Sequence, residues 1–137
     1  MKKLRVVGAA ITDENKVLAA RRGESKYAYV AHKYEFVGGK VEEGEEEPRA
    51  LEREVYEELG ARAKAGSLLM RVQYAYPDFE IELAVYFCTL LTPYRKTEHE
   101  ELRWIPFAEL KEEEWAPADA PVVRRLKEGG AADLILQ

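Results

Sequence analysis

The chain has 137 residues, of which 47% are hydrophobic and 34% charged, and this size and composition predict a single globular domain spanning residues 1–137. The net charge of −5 argues against a sequence-independent grip on nucleic acid polymers, although it is compatible with a free nucleotide whose phosphates are bridged by a metal ion. The single cysteine excludes an internal disulfide. Since the sequence has neither a membrane-spanning apolar run nor a signal-peptide core, we expect a cytoplasmic protein.

The N-terminal part of the chain predicts mainly strands. It contains, in order, an apolar run that fits a buried strand, a turn, a second strand, a loop without clear period and a short strand: residues 4–11, 13–15, 16–20, 23–33 and 33–37. The first two strands with their turn predict a hairpin-like start. The short strand leads directly into Gly38 and Gly39.

A helix is predicted at about residues 47–59, because Leu51, Val55 and Leu59 recur at four-residue spacing and form one apolar stripe. Pro48 suits the first turn of this helix, and Gly60 suits the position just past its end.

The C-terminal half predicts two longer strands, a short strand, a short helix and a second substantial helix at residues 68–76, 81–91, 101–105, 107–113 and 118–128. Pro77 and Asp78 form a turn pair between the two longer strands. Strands that surround one helix and precede another predict an α/β sandwich around a mixed sheet. The apolar tail, residues 131–137, has no assigned place.

Three carboxylates crowd one face of the first helix. Glu54, Glu57 and Glu58 are spaced i, i+3 and i+4, and like charges at this spacing destabilise a bare helix by about 0.2–0.5 kcal/mol per pair. A solvated charged face would explain three glutamates alone. A divalent cation would reverse the repulsion, because Mg²⁺ prefers carboxylate oxygens, water and phosphate as ligands.

The spacing of the whole stretch decides between these two interpretations. From Gly39 onward it reads G-x5-E-x7-R-E-V-Y-E-E-L-G-A, which resembles the Nudix box G-x5-E-x7-R-E-U-x-E-E-x-G-U, where U is apolar. Further segments resemble the MutT-like branch of this family, with Val37 replacing the usual proline: residues 21–22, 33–40, 74–78 and 115–123. The resemblance implies an α/β/α sandwich around a mixed sheet, with the box as a loop–helix–loop.

The resemblance also implies an activity. We expect a Mg²⁺-dependent enzyme, with Mn²⁺ as an alternative ion, that cleaves a nucleoside triphosphate such as CTP or 8-oxo-dGTP to nucleoside monophosphate and pyrophosphate. Two alternatives are hydrolysis of another nucleoside diphosphate derivative such as ADP-ribose, and a non-catalytic nucleotide sensor on the same fold. The expected partner is a small nucleotide, with no nucleic acid polymer and no membrane, and the protein is expected to be a monomer or a homodimer.

The expected catalytic and metal-binding residues follow the box. The metal ligands are three side chains and, through the resemblance, the backbone carbonyl of Gly38, with a loop glutamate as general base or further ligand: Glu54, Glu57, Glu58 and Glu98. Glu98 is chosen because it lies 21 positions before Asp119, as the corresponding glutamate of MutT-like enzymes does before its asparagine, while Glu100 and Glu101 are rivals. Arg53 is expected to hold loop to helix by pairing with Glu57 and Glu45. His99 could act as a base by its ordinary pKa, but the family pattern does not require it.

Substrate recognition is expected at the other end of the site, from Arg22, Phe36, Tyr76, Asp78 and Asp119. Asp119 stands where MutT has a base-reading asparagine, and an aspartate there resembles the CTP-hydrolysing relatives. As an ionised acceptor it would suit cytosine N4 or the N1 and N2 groups of 8-oxoguanine and reject the O4 of uracil. A simpler interpretation is that Asp119 caps the last helix.

Overall fold

The computed structural model describes residues 2–97 and 99–129. The strands are β1 (Lys2–Asp13), β2 (Lys16–Arg21), β3 (Tyr34–Glu35), β4 (Val37–Lys40), β5 (Ala63–Ala75), β6 (Phe79–Leu90) and β7 (Glu101–Pro106). The helices are α1 (Glu47–Leu59) and α2 (Ala120–Gly129), and two 3-10 turns, Phe107–Glu109 and Glu112–Glu114, precede α2. Glu98 and the tail at residues 131–137, both of which were singled out in the sequence, lie outside the described residues.

Strand β1 is central to the sheet. It pairs in parallel with β6, from Lys2 opposite Phe79 to Ile11 opposite Cys88, and antiparallel with the short β4. Strand β5 continues the sheet beyond β6, and β2 carries β3 and β7 on its two sides. The sheet is therefore mixed, as the order of elements predicted.

The two helices cover opposite faces of this sheet. Side chains of alternate residues in a strand point to opposite faces, and Val7, Ala9 and Ile11 of β1 pack with Leu51, Val55 and Leu59 of α1. Ala10 belongs to the second core, which contains the buried side chains of α2. That α2 contribution is Val122, Val123 and Leu126. This arrangement confirms the predicted α/β/α sandwich.

Helix α1 has the predicted bounds and ends. Pro48 occupies its first turn, and Gly60 ends it in the left-handed conformation at φ 66°, donating its N–H to the carbonyl of Tyr56. Glycine adopts this conformation without the steric cost that a Cβ would bring. The loop, helix and turn of the box therefore hold a fixed place on the sheet.

Several element boundaries differ from the sequence prediction, among them that of the strand predicted at residues 33–37, which is divided into β3 and β4. Strand β5 starts at residue 63 instead of 68, and irregular pairing around Leu68 hides its alternation in the sequence. The helix predicted at residues 107–113 is two 3-10 turns, because Leu110 adopts an extended conformation between them. Helix α2 starts at Ala120 because the preceding residues form a turn. In the described ranges, neither helix has the length and apolar composition needed to cross a bilayer.

Candidate active site

A cavity of about 890 Å³ lies between the sheet and the loops around it. Leu4 and Val6 of β1 and Ile81 and Leu83 of β6 contribute its apolar floor. Polar and charged groups project into it from loops and from α1, among them Arg22, Glu35, Glu58, His99 and Asp119. A mostly preformed concavity with a few convergent polar groups is the usual form of a small-molecule site.

The three glutamates of α1 share one helix face, but their environments differ. The side chains of Glu54 and Glu58 are 16% and 12% exposed, whereas that of Glu57 is 55% exposed. Glu58 accepts a hydrogen bond from the backbone N–H of Gly38, with 2.9 Å between nitrogen and Oε2. Burial raises the pKa of Glu58 to about 8, with the carboxylate of Glu35 adding to the rise and His99 opposing it.

The first glycine of the box, Gly39, leaves the space that the carboxylate of Glu54 occupies. A Cβ on Gly39 would lie 2.4 Å from Cδ of Glu54, far inside contact distance. The carboxylate of Glu54 therefore lies directly against the backbone of β4, beside the cavity that Gly38 and Gly39 line. Any larger residue at position 39 would displace it.

Arg53 connects the loop to the helix. Its guanidinium donates to both carboxylate oxygens of Glu45, at 2.8 and 3.0 Å, and to Glu54 and Glu57 at 2.9 and 3.2 Å. A further hydrogen bond, of 3.0 Å, reaches the carbonyl of Lys40. The guanidinium lowers the pKa of Glu45 to about 2. These contacts agree with the structural part expected for Arg53 and include Glu54, which sequence reasoning did not name as its partner.

The donor set of this region fits a hard divalent cation. Glu54 and Glu58 offer carboxylate oxygens beside two glycines, and such oxygens are the ligands that Mg²⁺ prefers. Burial raises the pKa of Glu58, and a bound cation would favour its ionised form. Within residues 2–97 and 99–129, no three His, Cys, Asp or Glu side chains are yet arranged around one metal position. Two of the three α1 carboxylates are instead engaged with Arg53.

Two cavity residues were missed or given little weight from the sequence. Glu35, in β3, and His99, in the loop just before β7, both line the cavity. Nε2 of His99 lies 3.3 Å from Oε2 of Glu35 and 3.6 Å from Oε1 of Glu58. The signal for Glu35 was its place in residues 33–40, directly before the glycines. His99 had no comparable signal, because the histidine is brought to Glu58 only by the tertiary fold.

The rival loop glutamates have other partners. Glu100 contacts Arg21 at 2.8 Å and Nδ1 of His32 at 3.1 Å on the surface. Glu101 accepts a hydrogen bond of 2.8 Å from the hydroxyl of Tyr34. Neither is among the residues that line the cavity. Glu98 stays a prediction, since it lies outside the described residues.

The five residues expected to bind substrate all line the cavity: Arg22, Phe36, Tyr76, Asp78 and Asp119. Three of them also hold the walls together. The hydroxyl of Tyr76 accepts a hydrogen bond of 3.0 Å from the N–H of Ala118, and Asp78 accepts one of 2.7 Å from the hydroxyl of Tyr29. The ring of Phe36 packs against that of Trp115 in a tilted arrangement, with 4.8 Å between the ring centroids.

Asp119 is buried, with 7% of its surface exposed. Burial raises its pKa well above the ordinary value, with Glu35 adding to the rise and Arg22 opposing it. In the described part of the chain, its side chain makes no hydrogen bond to the first turn of α2, so helix capping does not account for it. The raised pKa favours the neutral carboxyl, which both accepts and donates hydrogen bonds, over the ionised acceptor that the sequence suggested.

Comparison with known proteins identifies the family. The model of the NUDIX domain family matches residues 2–126, which include every element described above up to α2. The chain belongs to the NUDIX domain family. This Nudix protein is 34% identical to the 8-oxo-dGTP diphosphatase of Escherichia coli K12 over 130 residues, covering 93% of this chain and 98% of that protein. The predicted MutT-like Nudix hydrolase is thereby confirmed.

Two further relatives support the same family assignment. The CTP pyrophosphohydrolase of E. coli K12 is 33% identical over 136 residues, covering 90% of each chain. The solution structure of the E. coli ORF135 protein superposes with a TM-score of 0.81 at 33% identity, covering 94% of this chain and 91% of the other. Nudix hydrolases generally depend on a divalent metal ion.

Proposed function

We propose that this Nudix hydrolase cleaves free nucleoside triphosphates, CTP or 8-oxo-dGTP among them, to nucleoside monophosphate and pyrophosphate with Mg²⁺ bound. One observation carries the proposal. Glu58 lines, with Gly38 and Gly39, a cavity whose wall also contains the buried carboxyl of Asp119, and the carboxylate of Glu54 lies against the backbone of Gly39 beside it. A metal-suited region and a base-reading group therefore share one enclosure. The names of the two E. coli relatives support the same substrates.

The α1 face would hold the cation. Glu54, Glu57 and Glu58, with the carbonyl of Gly38, are the proposed ligands, and Glu98 stays the predicted base or further ligand. When bound, Mg²⁺ would supply charge neutralisation on the phosphates and acidify water. Arg53 holds the carboxylates of Glu54 and Glu57 close to each other by donating to both. These two side chains would therefore need to move little to contact a bound cation.

The remainder of the cavity would receive the nucleoside. The apolar floor of Leu4, Val6 and Ile81 suits a flat base and excludes water from it. Asp119 would read the base edge as donor and acceptor while its carboxyl is neutral. Arg22 donates to Glu35 at 3.3 Å and would offer a positive charge and hydrogen-bond donors to the nucleoside on that side.

The test is pyrophosphate release from a nucleotide panel. CTP, UTP, dGTP, 8-oxo-dGTP and ADP-ribose would be compared with Mg²⁺, with Mn²⁺ and with EDTA. Metal-dependent pyrophosphate release from CTP or 8-oxo-dGTP is expected. Activity on ADP-ribose alone would instead identify a hydrolase of nucleoside diphosphate derivatives, and binding without turnover would identify a sensor.

Glu57→Gln refines this experiment. Turnover should fall by orders of magnitude while the fold persists, because the side chain is half exposed and contributes a charge rather than packing. Glu43→Gln is the matched control, since Glu43 is exposed in the loop before α1. Near-wild-type turnover in Glu57→Gln would remove Glu57 from the metal site.

A further inference from the structure

His99 lies buried between two carboxylates of the cavity. Its side chain is 5% exposed, and Nε2 faces Oε2 of Glu35 at 3.3 Å and Oε1 of Glu58 at 3.6 Å. The two carboxylates that Nε2 faces both line the cavity, so His99 contacts groups of the candidate site itself.

These contacts form a continuous polar chain. Glu58 is held from one side by the N–H of Gly38, at Oε2, while its other oxygen faces His99. Glu35 likewise faces His99 with one oxygen and receives Arg22 on the other, at 3.3 Å. The chain runs from the proposed metal end of the cavity to the loop at the nucleoside end, and His99 is the link between its halves.

We propose that His99 is a positioning residue that fixes the carboxylates of Glu58 and Glu35 for metal and substrate, an inference that rests on the proposed function. An ionised carboxylate only accepts hydrogen bonds, so an N–H at Nε2 can donate to Glu35, while Glu58 lies at ion-pair distance from the same nitrogen. His99 is the side chain that both carboxylates face, so its removal leaves Glu35 and Glu58 freer to take other rotamers. Groups that orient metal ligands typically contribute 10- to 100-fold to metal affinity or turnover.

The matched variants are His99→Ala, which removes the donor, and His99→Gln, whose amide N–H reaches a similar position. His99→Asn is the second loss variant if the alanine variant does not fold, because its amide is polar but too short to bridge both carboxylates. His32→Asn is the control, since His32 is exposed, contacts Glu100 on the surface and has φ 58°, a conformation that asparagine tolerates.

Two measurements are made on each variant. Mn²⁺ affinity is followed by the electron paramagnetic resonance signal of the free ion, and kcat and KM are measured with the nucleotide that the panel selects. His99→Ala should lower kcat and Mn²⁺ affinity by about 10- to 100-fold. KM should change far less, because Asp119 and the apolar floor are unaltered. His99→Gln should restore most of both quantities, and His32→Asn should match the wild type.

The outcomes separate the two proposals. If the wild type releases no pyrophosphate from any triphosphate, yet His99→Ala weakens Mn²⁺ binding and His99→Gln restores it, the proposed function fails and the placement by His99 stands. If the wild type is active and the folded His99→Ala or His99→Asn variant keeps its kcat and Mn²⁺ affinity, the inference about His99 is wrong. A lower melting temperature with unchanged kcat and affinity would also overturn it, since that result indicates a purely structural histidine.

Discussion

Replacing Arg53 by alanine should damage both the stability and the activity of this Nudix hydrolase. The guanidinium makes five hydrogen bonds, which reach Glu45, Glu54, Glu57 and the carbonyl of Lys40. Alanine removes all five at once and leaves carboxylates of the loop and of α1 without their shared cation. The loop before α1 would then lose its main polar connection to the helix.

The size of the effect follows from exposure. The side chain of Arg53 is 25% exposed, so its contacts lie between surface ion pairs, at about 0.2–1 kcal/mol, and buried pairs, whose disruption costs about 3–5 kcal/mol. Of these contacts, the hydrogen bond to the half-exposed Glu57 contributes least to stability. We expect a loss of about 2–3 kcal/mol in the free energy of unfolding. For a domain of this size that is about 8–12 °C in melting temperature.

Activity should fall with stability, because Glu54 and Glu57 lose the group that holds them. The assay is thermal unfolding together with kcat at a temperature where both proteins are folded. Arg53→Lys keeps the positive charge but loses the planar guanidinium with its several donors, so it should recover only part of the melting temperature and part of kcat. Arg49→Ala, an exposed arginine on the same helix, is the control for helix propensity. Lost activity at an unchanged melting temperature would refute this reasoning and indicate direct contact of Arg53 with phosphate.

Three further predictions concern other parts of the structure. Gly39→Ala should lower kcat and Mn²⁺ affinity severely with little change in melting temperature, because the new Cβ displaces only the flexible end of Glu54; unchanged kcat would contradict this. The ratio of kcat/KM for CTP to kcat/KM for UTP should rise with pH, because ionised Asp119 can no longer donate a hydrogen bond to the O4 of uracil and its raised pKa brings this ionisation to higher pH. The variant Asp119→Asn should abolish this pH dependence. Arg71 lowers the pKa of Glu47 from its ordinary value of 4.5 to about 2. The free energy of unfolding of the wild type should therefore decrease by about 1–2 kcal/mol as pH falls from 4.5 towards 2, and unfolding curves of Glu47→Gln should lack this decrease.

The sequence predicted best what depends on local pattern. The bounds of α1 were correct because the apolar stripe, Pro48 and Gly60 all act within a few residues of one another. The pairing of Arg53 with Glu57 and Glu45 was predicted correctly for the same reason, since Glu57 is one helical turn away and Glu45 lies two residues before the helix. Sequence spacing is enough to predict a contact when the two residues lie in the same helix or in the loop next to it.

Long-range contacts could not be predicted in this way. His99 meets Glu35 and Glu58 across separations of 64 and 41 residues, and no periodicity in the sequence records that meeting. The raised pKa of Asp119 could not be predicted from the sequence either, because it depends on burial by the fold and on the charge of Glu35. Residues whose chemistry is set by distant neighbours are therefore those for which the structure changed the interpretation.

The parallel pairing of β1 with β6 has a consequence for how the chain folds during synthesis. Residue 2 pairs with residue 79 and Ile11 with Cys88, so the central strand has no parallel partner until well over half of the chain has left the ribosome. Closing so long a loop costs entropy before any pairing offsets it, and chains with such high contact order fold slowly. Until then β1 presents an apolar strand with an open edge, a template for pairing with other nascent chains. Nascent chains that stall before β6 should therefore depend on chaperones far more than those that have passed it.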